Sequence, residues 1–215
     1  MTRHTNLWQH ADFLTLWSSQ TLAALSAQIT QLALPLIAAL ALDASPFEMG
    51  LLVTMATLPN LLVALFAGSW VDHMRRRPLL IAADLTRAAL LVSIPLASVF
   101  NLLTLEQLYV VLFLFGIGTT VFDVANVSYL PLLVGRSHVL QANSRIVAST
   151  SFAGAVGPGL AGLLVELITA PFAILVDAIA LVVSAALLHT IRFKETDPAS
   201  YNGRAGLWTD IAAGL

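Results

Sequence analysis

Apolar positions along the 215-residue chain gather into six long runs, at about 12–41, 48–71, 79–100, 107–130, 144–167 and 171–191. Each run reaches the roughly 20 mainly apolar residues that a bilayer-crossing helix needs. The pattern predicts an all-α integral membrane fold, a six-transmembrane-helix bundle over residues 1–191. Turn signals separate the runs: Ala44-Ser45-Pro46, Arg77-Pro78, Gly135-Arg136-Ser137 and Ala170-Pro171. Connections this short suit tightly packed antiparallel neighbours. From Arg192 onward the chain turns abruptly polar, then regains an apolar rhythm at Leu207, Trp208 and Ile211, as at the start of an amphipathic segment.

Composition and charge sharpen this picture. The chain is 58% hydrophobic and 10% charged, against about 25% charged residues in a soluble domain. The N-terminus, MTRHTNLWQHADF, is polar and lacks the short apolar core and cleavage site of a secretory signal. Its ten basic residues lie in or near the N-terminal tail, the second and fourth connections and the C-terminal tail. The first, third and fifth connections carry no Lys or Arg. Basic residues on alternate sides follow the positive-inside rule, so a multi-pass protein of the inner (cytoplasmic) membrane with both termini cytoplasmic is expected. No cysteine is present, which excludes disulfides and thiolate metal sites, and the net charge of −2 carries no nucleic-acid signal.

Residues 153–162, AGAVGPGLAG, place four glycines and a proline inside the fifth run, although these are the poorest helix formers. In lipid, helices associate through close backbone contact, which small residues permit. Ala153, Gly157 and Ala161 recur every four residues, as do Gly154, Pro158 and Gly162. The face is either a packing groove or a seam that slides during a conformational cycle. Residues 68–78, GSWVDHMRRRP, set an acid, Asp72, directly before three arginines. A topology anchor accounts for the arginines but not for the acid.

Those two stretches resemble signatures of the major facilitator superfamily. The first of them, GSWVDHMRRRP, is similar to the loop between that family's second and third helices, Gly-x-x-x-Asp-Arg-x-Gly-Arg-Arg: Gly68, Asp72, Arg76 and Arg77 match, while His73 and Arg75 depart from it. AGAVGPGLAG is similar to the fifth-helix signature of its proton-coupled exporters, Gly-x-x-x-Gly-Pro-x-x-Gly-Gly, matched by Gly157, Pro158 and Gly162, with Ala153 and Ala161 at two glycine positions. Further stretches, FLTLWSSQ (13–20), YLPLLV (129–134), ANSR (142–145) and APFAILVDA (170–178), resemble its drug- and siderophore-exporter branch, of the enterobactin type. The fourth-helix signature is incomplete, with Gly116 and Gly118 present but Leu112 at the arginine position. LALPL (32–36) echoes YLPLL (129–133), in keeping with two three-helix inverted repeats, half of a major facilitator fold.

Charges and polar groups inside the runs name the candidate site. Asp84 and Arg87, three apart, share a helix face and can pair. Together with Asp72, Asp123 and Arg145 they are expected to form a charge network on the cytoplasmic side. Gly68, Asp72, Arg76, Arg77 and Asp123 are the expected gating set. Asp123 and Asp177 are the proton-coupling candidates, since buried charge is costly and usually functional. The resemblance puts the first and fourth helices along the central path, making Gln20, Gln31 and Asn126 substrate-cavity candidates; interhelical hydrogen bonding is the competing reading.

The resemblance implies secondary active transport, in the form of proton-coupled export of a small organic molecule of the drug or siderophore class by rocking of two helical bundles, with no enzymatic activity, metal or cofactor. The five histidines have no metal-type spacing. Residues 192–215 read as the cytoplasmic start of an inter-bundle linker, truncated. The chain is expected to be an N-terminal half whose partners are lipid, protons, a small-molecule substrate and a second six-helix bundle, either a missing C-terminal half or a second copy. A non-transporting scaffold or assembly subunit derived from such a half is the alternative.

Overall fold

The structure, a computed structural model, describes Leu7, residues 10–72, residues 74–193 and Glu195, with the backbone alone for residues 64–72. Among the described residues six helices are long and apolar enough to cross a membrane. They are α1 (Ala11–Leu36), α2 (Pro46–Asp72), α3 (Arg76–Val99), α4 (Leu105–Val134), α5 (Val139–Ile168) and α6 (Ala170–Thr190). Each coincides with one of the six apolar runs. A π-helical turn (Ile37–Ala41) continues α1 just beyond Pro35, whose ring removes a backbone donor from the ladder.

Helix ends follow local chemistry. Ser45 and Glu48 form a capping box at the start of α2, Ser45 donating its N–H and hydroxyl to the Glu48 carboxylate at 2.7 Å and accepting from Glu48 N–H at 3.4 Å. The Thr104 side chain caps α4 by accepting from Gln107 N–H at 3.3 Å. Gly135, at φ 76°, ends α4 in a conformation that favours glycine.

The packing is two-fold in plan. Helix α1 lies against α5 and α6; α4 lies against α2 and α3; α3 and α6 pack on each other. Exchanging α1 with α4, α2 with α5 and α3 with α6 maps this set of contacts onto itself, as two three-helix repeats require. Two apolar cores result. One joins the start of α1 and α3 to the ends of α4 and α6, around Phe13, Leu80, Tyr129 and Leu188. The other joins the far end of α1 and α3 to the starts of α2, α4 and α6, around Ile37, Leu91, Leu108 and Ile174. Polar side chains are concentrated between them.

Candidate functional site

That polar layer begins with α3. Asp84 is fully buried and Arg87 is 7% exposed, and the two form an ion pair one helical turn apart. Isolated charges in such a place are costly, and each has further partners. Asp84 accepts a hydrogen bond from Ser184 of α6 at 2.7 Å. The Arg87 guanidinium lies 4.7 Å from the centre of the Phe122 ring and 5.8 Å from that of Phe115, within cation–π range. Gly118 makes room for it: a Cβ there would stand 2.9 Å from Arg87 Cγ. The pair thus sits between the two cores, about two helical turns or more along α3 from Arg75–Arg77.

Asp177 of α6 is 1% exposed. It accepts hydrogen bonds from Ser26 at 2.7 Å and from Thr30, both on α1. Among the described residues no ion pair reaches it. Asp84 and Asp177 occupy equivalent places, each six residues after a proline (Pro78, Pro171) near the start of α3 and α6, the two helices exchanged by the pseudo-two-fold. This repeated Pro-x5-Asp spacing was a legible signal for both acids.

Arg87 and Asp177 are on the wall of one cavity of about 360 Å3, shared by Gln31, Asn60, Phe115 and Thr119. The rest of the wall is largely aliphatic, including Leu112, Leu34 and Leu181. Arg87 therefore reaches, from α3, a space that Leu112 borders on α4 without a charge of its own. The cavity lies toward the end of the bundle remote from Arg75–Arg77.

The cavity candidates separate. Gln31 lines the space. Gln20 and Asn126 instead hydrogen-bond each other across α1 and α4, Gln20 Nε2 donating at 2.5 Å, and neither borders the cavity. Asn60 accepts from Thr120 at 2.6 Å and ties α2 to α4. Asp123 is exposed on α4. Ser26, Thr30, Ser184 and Asn60 were not singled out in the sequence. The four-residue spacing of Ser26 and Thr30 marks one helix face, but only packing shows which acid it meets.

The glycine-rich stretch of α5 has two distinct faces. Ala153, Gly157 and Ala161 are buried, and a Cβ on Gly157 would lie 2.7 Å from Cβ of Gln28 on α1. Gly154 and Pro158 are exposed, and a Cβ on Gly154, Gly159 or Gly162 would meet no atom within 4 Å. One face is therefore a close helix contact, and the other is open.

At the arginine-rich end, the surroundings of Gly68 and the side chain of Asp72 lie outside what is described. The backbone N–H groups of Arg76 and Arg77 both donate to the Glu195 carboxylate at 2.7 Å, capping α3. The Arg77 side chain donates to the carbonyls of Leu188 (3.0 Å) and His189, capping the last turn of α6. Arg192 N–H donates to Asp12 at 3.1 Å. The segment after α6 thus clasps the starts of α1 and α3. Among the described residues no cluster of metal-ligating side chains occurs.

The family model described as Major Facilitator Superfamily matches residues 16–212. An uncharacterized MFS-type transporter of Bacillus subtilis (strain 168), YfiS, is 29% identical over 175 residues, which cover 81% of this chain and 41% of that protein. The chain thus spans less than half the length of that relative. No solved structure matches it. A match over most of the chain, laid on six membrane-length helices that pack as two exchanged triplets, leads to one statement: the chain belongs to the Major Facilitator Superfamily.

Proposed function

We propose that the chain is the N-terminal six-helix bundle, residues 1–191, of a secondary active exporter that exchanges protons for a small organic molecule of the drug or siderophore class. Residues 192–215 begin the linker to a second bundle, supplied by a C-terminal half or a second copy. The protein lies in the inner membrane with its basic side and both termini in the cytoplasm.

The observation that carries the reading is the cavity walled by Arg87 and Asp177. With Asp84 and Asp177 ionised, the three buried charges sum to −1 (two carboxylates, one guanidinium). Arg87 is held by Asp84, whereas among the described residues Asp177 is met by hydroxyl donors alone. One proton or one organic cation at Asp177 neutralises the layer, so the two compete for one place. That competition is the elementary step of exchange. Gln31 would contact the substrate, while Gln20 and Asn126 would hold α1 against α4. Asp123, exposed on α4, and the open face of α5 with Gly154, Pro158 and Gly162 would meet the second bundle. Gly68, Asp72, Arg76 and Arg77 would hold the cytoplasmic end closed. Among the described residues α2 and α5 have the smallest share of buried positions of the six helices, which supports a second bundle there.

The test is efflux of a fluorescent organic cation from proteoliposomes holding this chain, with and without a coexpressed six-helix partner, under an imposed pH gradient. Gradient-driven efflux that Asp177→Asn abolishes and Asp123→Asn leaves in place is expected. Efflux by Asp177→Asn at the wild-type rate would overturn the assignment of the proton to this residue.

A further inference from the structure

Polar groups on the wall of the central cavity differ from one side to the other. On the α1 and α6 side the charged group is Asp177, and the Thr30 hydroxyl donates to it. On the α4 side the wall presents donors. Asn60 of α2 borders the cavity, and its amide oxygen accepts from Thr120 at 2.6 Å. The amide N–H groups are therefore the part of that side chain left for the cavity, and among the described residues no acceptor meets them. The helices are fixed beside it. A Cβ on Gly116, one turn before Thr120, would stand 2.9 Å from Pro59 Cγ and 3.1 Å from the Ala56 carbonyl oxygen, so α2 and α4 approach closely there.

Arg87 adds to the same side. A guanidinium donates hydrogen bonds and accepts none. Its Nη2 is paired with Asp84. Its Nη1 is turned to Thr119 Oγ1, on the cavity wall, at 3.5 Å, longer than a good N–H···O bond, and Thr119 gives its own proton to the Phe115 carbonyl at 3.0 Å. Gln31 can donate or accept and so favours neither. Because the rest of the wall is largely aliphatic, a ligand of methylene groups alone would cover these N–H groups without pairing them, which is costly. A ligand with an oxygen acceptor pairs them. A site built around polar groups rejects an analogue that lacks the matching group for this reason.

We infer that the substrate is an organic monocation carrying a neutral oxygen acceptor, such as an ester or amide carbonyl. Its cationic end sits at Asp177, and its carbonyl turns to the donors of Asn60 and Arg87. The acceptor is neutral because Arg87 already faces one carboxylate, Asp84. This rests on the reading of Asp177 as the cation's place and adds a second point of recognition, on α2 and α3.

The experiment is calorimetric titration of the full chain in a neutral detergent with two cations of equal chain length, butyrylcholine and heptyltrimethylammonium, which differ by the ester. The readout is the ratio of the two affinities, in which effects common to both cations cancel. Asn60→Leu removes the amide donors while Thr120 keeps its bond to the Gly116 carbonyl. It should shift the ratio about fivefold against butyrylcholine, the scale of one hydrogen bond. Asp84→Leu with Arg87→Met removes the guanidinium without stranding its partner, and should shift the ratio about tenfold, the scale of a charge-assisted bond. Asp177→Asn should weaken both cations alike. A ratio unchanged in Asn60→Leu, at an exposed position, or in the paired variant would overturn the inference alone. Full-strength binding of both cations by Asp177→Asn would overturn the exchange reading beneath it, and binding of neither by the wild type would overturn both.

Discussion

Replacing Gly157 by alanine adds one methyl group at the place where α5 lies closest to α1. The new Cβ would fall 2.7 Å from Gln28 Cβ, with Gln28 Cγ nearer still. Rotating the glutamine side chain moves its Cγ but not its Cβ, so the helices themselves must separate. Overpacking of this kind costs about 1–3 kcal/mol, while alanine regains up to about 1 kcal/mol of helix propensity over glycine. The net loss is up to about 2 kcal/mol, or a fall of up to about 8 °C in Tm for a chain of this length. Gly154 is the internal control. It lies three residues earlier on the same helix, but a Cβ there meets nothing within 4 Å, so Gly154→Ala keeps the propensity gain without the clash and should raise Tm by about 2–4 °C. Thermal unfolding of the purified chain in detergent, followed by tryptophan fluorescence, reads both. Shifts of the same sign and size would refute the claim that α5 packs on α1 through the Gly157 face.

Two further outcomes follow from the buried pair and the clasp. Arg87→Met should cost about 3–5 kcal/mol because it strands the Asp84 carboxylate, whereas Arg87→Met combined with Asp84→Leu should cost markedly less than the sum of the single changes; a double-mutant cycle on detergent unfolding measures the coupling. Glu195→Gln weakens both hydrogen bonds to the first turn of α3 and should cost about 0.5–2 kcal/mol, in the range of a lost helix cap. It should be seen as faster hydrogen exchange at the Arg76 and Arg77 amides with slower-exchanging interior turns of α3 unaffected.

The helices were legible because each is coded locally, by an unbroken apolar run between turn residues. The Asp84–Arg87 pair was legible for the same reason, since three-residue spacing on a helix puts both on one face whatever surrounds them. Partners on other helices were not. Nothing in the α6 sequence says that Asp177 meets Ser26 and Thr30 of α1, because that contact spans 147 residues of chain or more. Gln20 and Asn126 had the residue types of a cavity wall, but whether they face a cavity or each other depends on the rotation of α1 against α4. The small-residue stretch of α5 announced close packing without revealing which of its faces packs. Glu195 lies past the last apolar run, where hydropathy has nothing to say about a carboxylate that folds back to cap α3. The cavity itself, formed by side chains from five helices, is a product of packing alone.

The most direct test of the central claim, that a proton and an organic cation share Asp177, is proton release on binding. Adding a saturating organic cation to the detergent-solubilised chain in weakly buffered solution, with a pH indicator present, should liberate about one proton per chain from the wild type and none from Asp177→Asn. Release of the same size from Asp177→Asn, with cation binding intact, would contradict the account.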